Sequence, residues 1–343
     1  MDVLSVPRER CEALRRELER RGLLDASRRI RVDGPRAFLP VLGVGDLDLA
    51  HFQALAVTET LAETLGSVQG MTPPFERILA RVALPEGLHR FLPRRWEKIG
   101  NIVLLRLAPE LDSHREAIGK AYGETLGAKT VAVYGSIEGD WREPRVAVIW
   151  GDGTETEHHE NGIYYRLDVA RTMFSSGNLP ERVRMGKVVT AGETVVDLFA
   201  GIGYFALPMA VHGKAHVYAC EVNPVAHRYL VGNARINRAE SLVPILGDCR
   251  QVAPRGVADR VVLGYLEGAE YLSTAMAAFG NNGGWLHYHE ACPTEQCATR
   301  PLGRATAAAE AAGLALESSS LRYLKSYAPN VWHVVLDARL CRN

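Results

Sequence analysis

Val195-Val-Asp-Leu-Phe-Ala-Gly-Ile-Gly-Tyr-Phe205 is a short apolar run that ends in an acid and passes through two glycines into a helical pattern. The run reads as a buried strand, and Gly201 and Gly203 let the backbone turn tightly and approach a bound molecule closely. From about residue 164 onward, strands expected at 193–200, 216–222, 242–247, 260–266 and 284–290 alternate with helical patterns at 205–211, 225–237 and 271–279. This alternation specifies a parallel sheet covered on both faces. Residues 314–340, broken at 326–330, read as a closing antiparallel hairpin. The expected class is therefore α/β, with a doubly wound, Rossmann-like sheet.

The acids define the ligand. Glu221 stands 24 residues after Asp197 and ends the second strand in Tyr218-Ala-Cys-Glu-Val-Asn-Pro224, where a carboxylate can accept both hydroxyls of a ribose. Asp248 follows the third strand and supplies an acid for an adenine edge. Three acids on consecutive strand ends suit S-adenosylmethionine (SAM), whose sulfonium is positive, and repel the pyrophosphate of a dinucleotide. A third glycine of the dinucleotide GxGxxG pattern is also missing, since Phe205 and Ala206 fill that stretch. The expected fold is a class I SAM-dependent methyltransferase domain preceded by smaller α/β modules. Phe199, Gly201, Gly203, Val222, Cys249 and Gly264 lie in the same strand-end loops and join the expected SAM site.

The 343 residues are 47% hydrophobic and Lys+Arg 40 balances Asp+Glu 40. No apolar run nears the roughly 20 residues of a bilayer helix, and the first 21 residues are charged throughout, so a cytoplasmic protein with no membrane partner is expected. Six cysteines (Cys11, Cys220, Cys249, Cys292, Cys297, Cys341) show no CxxC pair and read as reduced thiols. Zero net charge gives no global nucleic-acid signal. Residues 1–36 hold ten Arg against seven acids, and this reads as a solvated helix face laced with Glu–Arg pairs. Glu157-His158-His159-Glu160 resembles a metal motif, but adjacent side chains on an extended segment point to opposite faces, so no metal is expected.

Three regions are expected: a small module at 1–85, an α/β middle module at 86–163 and the SAM-binding domain at 164–343. In the first, a helix over 5–24 carries Leu14, Leu18 and Leu23, a strand pair spans 31–42, and a second helix spans 49–65 before the Met71-Thr-Pro-Pro74 break. In the second, strands are expected at 101–107, 130–134 and 145–150 and a helix at 114–126.

The chain resembles the tRNA-wybutosine family of 3-amino-3-carboxypropyl (acp) transferases, relatives of the tRNA guanine-N1 methyltransferases. The resemblance rests on Leu92-Pro-Arg-Arg-Trp-Glu97, Glu160-Asn-Gly-Ile-Tyr, Leu167-Asp-Val, Met173-Phe-Ser-Ser-Gly-Asn178, residues 197–205, Ala219-Cys-Glu-Val-Asn-Pro224, Leu263-Gly-Tyr265, Leu286-His-Tyr-His289 and Val331-Trp-His-Val-Val335. It implies that SAM is broken between sulfur and the γ carbon, so that methylthioadenosine leaves. A sulfonium has three electrophilic carbons, and positioning decides which one meets the nucleophile. The fourth-strand motif agrees, because Leu263-Gly-Tyr-Leu266 offers no Asn or Pro to clamp a base amine. By the same resemblance Phe174, Ser175, Ser176 and Asn178 fold over the methionine part of SAM, and Tyr265 lines the substrate side, where an aromatic face stabilises a sulfonium. His287 and His289 share one face of a strand as pocket lining or core.

Two departures bear on the acceptor. Cys249 stands where the family usually has Asn, and Glu267-Gly-Ala-Glu270 replaces a stretch with Ser or Thr. Two carboxylates at the mouth would repel a polyanion. The favoured expectation is therefore a small-molecule branch, in which SAM's own amine attacks the γ carbon to give azetidine-2-carboxylate for natural-product biosynthesis. Asp197 would contact the amine or accept its proton, and Tyr204 and Tyr265 would form the walls. The alternative is acp transfer to a wybutosine precursor on tRNA(Phe), and a third reading is an RNA-binding protein that keeps SAM as a structural ligand.

Overall fold

The computed structural model describes residues 2–25, 30–58, 72–138, 143–174 and 176–342. Two compact units divide at Ala80 and Arg81. In the first, β1 (Asp2–Pro7), α1 (Cys11–Arg20), β2 (Arg31–Asp33), β3 (Arg36–Pro40), α2 (Leu49–Phe52) and β4 (Leu55–Thr58) form an antiparallel sheet of order β2-β3-β1-β4 with a helix on it. Leu14 and Leu18 of α1 share a core with Leu4, Val6 and Leu39.

The helix expected from residue 5 begins only at Cys11, because residues 2–7 are claimed by pairing with both β3 and β4. Ser5 is therefore a buried strand residue rather than a cap, held by the guanidinium of Arg36 through its Oγ (2.7 Å) and carbonyl (3.0 Å). The second helix stops at Phe52, where Gln53 takes a left-handed φ of 54°, and a strand follows; residues 59–65 of that expected helix lie outside the described residues. The Arg-rich face of α1 is internally neutralised, with Glu12 bonded to Arg15 and Arg16 and Glu17 to Arg20 and Arg21.

After α3 (Pro74–Arg81), the second unit opens with β5 (Glu97–Ile99), β6 (Ile102–Leu105), α4 (Arg115–Leu126), β7 (Thr130–Glu138) and β8 (Glu143–Trp150), whose sheet has the order β5-β6-β7-β8. A hairpin follows, β9 (Glu155–Glu160) and β10 (Ile163–Asp168), turned by Asn161 and Gly162 with φ of 48° and 74°. Two consecutive positive φ values are what a tight hairpin turn requires, and Asn-Gly supplies them. Buried Ile163, Tyr165 and Leu167 alternate along β10 toward the next layer.

That layer contains α5 (Leu179–Val188), β11 (Thr194–Asp197), α6 (Ala206–Val211), β12 (His216–Glu221), α7 (Pro224–Ile236), β13 (Leu242–Leu246), α8 (Cys249–Val252), β14 (Arg260–Leu263), α9 (Leu272–Ala278), β15 (Gly284–Pro293), α10 (Arg300–Ala311), β16 (Leu314–Ala328) and β17 (Val331–Arg342). The sheet order is β13-β12-β11-β14-β15-β17-β16, parallel through β15 and antiparallel at β17. Successive residues feed opposite cores: Val195 packs with Leu207, Met209 and Leu230, whereas Val196 packs with Leu272, Ala275 and Ala305. Each fully buried Val or Leu contributes roughly 1.5–3 kcal/mol, so this two-faced core outweighs the surface ion pairs at about 0–1 kcal/mol each. The chain leaves β11 in one direction for β12 and β13 and returns on its other side as β14, and the crevice at such a switch point is where doubly wound sheets bind ligands. Among the described residues no helix is long and apolar enough to cross a membrane.

Candidate active site

A cavity of about 710 Å³ opens at the carboxyl ends of β11, β12, β14 and β15. Gly201 of the glycine turn lines it. Gly201 (φ 58°) and Gly203 (φ 105°) occupy backbone conformations that L side chains avoid, and a Cβ on Gly203 would lie 2.6 Å from Leu207 Cδ1. The N–H of Gly201 donates to Glu221 Oε2 (2.8 Å) and that of Asn223 to Oε1 (2.7 Å). Each carboxylate oxygen keeps a lone pair for a ribose hydroxyl. Burial raises the Glu221 carboxyl against the pull of these backbone donors. Val222, Gly247, Asp248, Cys249 and Arg250 line the same end.

Asp248 is less free than the sequence suggests. It caps α8 by accepting from Arg250 N (2.9 Å), and the Arg250 guanidinium binds its other oxygen at 2.5 Å, which lowers its pKa. Arg250 also lies over Tyr271, 5.0 Å to the ring centroid. Phe199 stacks on Tyr265 (5.1 Å, 27°) and meets Tyr271 edge-on, making an aromatic wall.

Asn178, Phe199, Gly201, Tyr204, Glu221, Val222, Asp248, Cys249, Gly264 and Tyr265 all line the cavity. Asp197, Phe174 and Gly203 stand behind the lining. Asp197 is fully buried; its Oδ1 accepts from Phe199 N (3.2 Å), and its Oδ2 has no hydrogen-bond partner among the described residues. Burial, less the Phe199 N–H and plus the repulsion of Glu221, pushes its carboxyl up to about 7. Phe174 supports Tyr204 (5.7 Å) and carries the Arg182 guanidinium at 5.0 Å. Ser175 lies outside the described residues, and Ser176 belongs to the turn before α5. Asn178 precedes α5 without capping it, and its buried Oδ1 has no partner among the described residues.

The other end of the cavity carries little local signal in the sequence. Arg171, Arg182, His289, Lys325, Tyr327 and His333 line it. Lys325 and Tyr327 arrive from β16 and His333, which lies in the family-like Val331–Val335 stretch, from β17, so hairpin closure delivers them. Arg182 is 2% exposed and pairs with Glu160. The two mouth carboxylates are both engaged: Glu267 accepts from the Tyr265 hydroxyl (3.2 Å), and Glu270 lies 3.8 Å from Arg250. Glu270 lines the cavity together with Asp248 and Arg250, and Arg171 and Lys325 line it as well, so the acid at the mouth shares the cavity with positive charge.

His287 and His289 share a face but separate in role. His287 is core, bonded to Asp337 (2.5 Å) and Arg260, whereas His289 reaches the cavity. Glu290 points the other way, to Arg300 and Arg304. His158 accepts from Gly100 N while His159 stacks on Tyr164, so the Glu-His-His-Glu run splits between faces. No group of three or more metal-ligating side chains gathers among the described residues.

The family described as the TRM5/TYW2 methyltransferase domain matches residues 156–317, and the TYW2 N-terminal domain matches residues 75–154. A Pyrococcus horikoshii tRNA(Phe) (4-demethylwyosine(37)-C(7)) aminocarboxypropyltransferase is 40% identical over 276 residues, covering 80% of this chain and 99% of that protein. The crystal structure of P. horikoshii TYW2 in complex with MeSAdo superposes with a TM-score of 0.70 at 39% identity, covering 79% of this chain and 99% of the other. That of Methanocaldococcus jannaschii TYW2 in complex with AdoMet gives 0.61 at 35% identity, covering 73% and 100%.

Proposed function

The chain belongs to the TRM5/TYW2 family, and from that premise we propose that it transfers the acp group of SAM to carbon 7 of 4-demethylwyosine at position 37 of tRNA(Phe), releasing methylthioadenosine. The observation that carries this reading is the two-ended cavity. One end offers Glu221 and the Val222–Cys249 lining to a nucleoside, and the other is lined by Arg171, Lys325 and Tyr327, groups suited to a base attached to a polyanion. SAM and MeSAdo in the related structures are the two ends of such a reaction.

The chemistry is a displacement at carbon. The acceptor carbon supplies the electron pair for the new bond to Cγ, the Cγ–S bond breaks, and its pair neutralises the sulfonium. The protein must present Cγ in line and hold the positive substrate. Glu221 takes the ribose, Asn178 Oδ1 is suited to accept from the methionine ammonium, and Asp197 contributes a field from behind the wall. Gly264 keeps the space beside Phe205 open, since a Cβ there would lie 3.1 Å from its ring. Cyclisation of SAM to azetidine-2-carboxylate is less well supported. It leans on Glu267 and Glu270, whose carboxylates lie against the Tyr265 hydroxyl and Arg250, and the relatives act on tRNA(Phe).

The test is to incubate the protein with SAM and tRNA(Phe) carrying 4-demethylwyosine, with SAM alone as the control, and to follow methylthioadenosine, the modified nucleoside and amino-acid products by mass spectrometry. Methylthioadenosine formed in step with an acp-bearing nucleoside supports transfer. Azetidine-2-carboxylate from SAM alone would overturn it.

A further inference from the structure

Transfer to an aromatic carbon leaves one demand unmet: the carbon that attacks must afterwards lose its hydrogen as a proton. Asp197, the base expected from sequence, stands behind the cavity lining with one oxygen already bonded to Phe199 N. Two histidines stand in the lining instead. His289 on β15 and His333 on β17 are diagonal neighbours across the antiparallel pair, since His289 faces Val335 and His333 faces Ala291. Their rings meet through His289 Nδ1 and His333 Nε2 at 3.0 Å, and they are 1% and 3% exposed. His289 Nε2 and His333 Nδ1 have no hydrogen-bond partner among the described residues. Two buried nitrogens left over at the wall of a cavity point to a group that the substrate brings.

We propose that the His289–His333 pair accepts the proton released at the acceptor carbon, with His333 Nδ1 as the atom that takes it; this rests on the acp-transfer reading above. Two neutral imidazoles joined by one hydrogen bond share a single hydrogen between them. When His333 donates from Nε2, its Nδ1 carries a lone pair and His289 keeps its own hydrogen on Nε2. A proton arriving at His333 Nδ1 lets the shared hydrogen move to His289, so the new charge spreads over both rings. The balance closes. The C7–Cγ bond forms, the Cγ–S bond breaks with its pair going to sulfur, and the C7–H pair returns to the ring as the proton passes to His333. One positive charge thereby moves from the sulfonium to the histidine pair.

The surroundings keep the pair neutral beforehand. His289 faces Arg184, Asp337 and His287 as well as His333, and His333 faces Lys325; burial is the largest cause that holds both rings below the usual histidine range. A neutral pair does not repel the sulfonium. It is a weak base, and a ring carbon that has just formed its fourth bond is a strong enough acid to protonate it.

The experiment uses the full chain, SAM and tRNA(Phe) whose 4-demethylwyosine carries hydrogen or deuterium at C7, with rates from single turnovers and SAM affinity from calorimetry. His333→Asn is expected to slow transfer by about 10²–10⁴-fold with SAM affinity within about twofold. Deuterium is expected to slow the variant further while leaving the wild type nearly unchanged, because proton loss becomes limiting only when the base is gone. His289→Asn is expected to show the same pattern more weakly, and it decides the matter if His333→Asn does not fold. A variant that folds and retains its rate overturns the proposal, and so does a slow variant with no isotope effect, which is the mark of lost packing. Failure of the wild type to make any acp nucleoside sinks the acp-transfer reading and this one together, whereas wild-type transfer with an unaffected variant sinks this one alone.

Discussion

The side-chain amide of Asn233 closes the open edge of β10 by bonding both backbone groups of Arg166: Oδ1 accepts from its N–H at 2.8 Å, and Nδ2 donates to its carbonyl at 3.1 Å and to that of Ile202 at 3.1 Å. Asn237, one helical turn later, treats Tyr164 the same way at 2.8 and 2.7 Å. One side chain on α7 and one at its C-terminal cap thus replace a neighbouring strand, and they fasten the β9–β10 hairpin to the helix that follows β12. Asn233→Leu is expected to leave three backbone groups unpaired and to destabilise the second unit by roughly 2–4 kcal/mol. Denaturant unfolding monitored on the full chain measures it, and Asn237→Ala, nearer the surface, is expected to cost less.

Asp197 sets a pH dependence of stability. Its carboxyl sits near 4 in the unfolded chain and is pushed up to about 7 by burial in the folded one, so the proton is held more tightly when folded. The contribution is fully present below about pH 4 and is lost as pH rises through 7. Asp197→Asn removes this loss and is expected to stabilise the ligand-free protein at pH 8 by up to roughly 4 kcal/mol. Thermal unfolding of both proteins at pH 5 and pH 8 shows whether the gain is confined to the higher pH.

SAM binding is expected to release protons below neutrality. A cation placed near Asp197 and Glu221 favours their ionised forms, so affinity rises with pH up to about 7 and then levels. Calorimetry in buffers of different ionisation enthalpy reads the proton count directly, and a pH-independent affinity would show that neither acid senses the sulfonium.

Gly203→Ala tests the turn. At φ 105° a side chain is strained, and its Cβ would meet Leu207 at 2.6 Å and Leu230 at 3.1 Å. A loss of roughly 1–3 kcal/mol in stability is expected, with SAM binding weakened more than unfolding alone explains, since the same turn positions the Gly201 N–H on Glu221.

Asp337 joins the buried ions beneath the cavity, bonding Arg184 at 2.9 Å and His287 at 2.5 Å. Its pKa is lowered, with hydrogen bonds from His287 and Arg184 offsetting burial, so its stabilisation exists above the unfolded carboxylate range and fades as pH falls through the folded value. Asp337→Asn is expected to cost about 3 kcal/mol at pH 7, the low end for a broken buried pair because Glu181 still holds Arg184. The gap from wild type should narrow in acid, which urea titrations at pH 7 and pH 4 compare.

Much of the catalytic sheet is legible in the chain. Alternating apolar strands, the Asp197–Gly203 turn and Glu221 each follow from local pattern, because parallel strands buried on both faces are continuously apolar and a nucleoside crevice needs glycine and an acid at strand ends. The small N-terminal unit is harder to read: Ser5 reads as the cap of a helix over 5–24, and only pairing with both β3 and β4 makes residues 5–7 part of a strand. Helices α5 and α10 escape a reading by pattern because each has a proline as its second residue, Pro180 and Pro301, which suits a first helical turn and a loop equally well.

What the sequence determined by itself was the glycine turn and the strand-end acids of the cavity, since those residues lie within a few positions of their own strand ends and their geometry is local. The lining brought by β15, β16 and β17 was decided by tertiary structure. His289 and His333 are 44 residues apart in the chain, and the pairing of β15 with β17 sets them ring to ring. Glu267 and Glu270 read as a repulsive mouth because a sequence shows charge without its partner; the fold gives one a tyrosine hydroxyl and the other an arginine. Long-range pairing fixes which charges meet, and no local pattern encodes it.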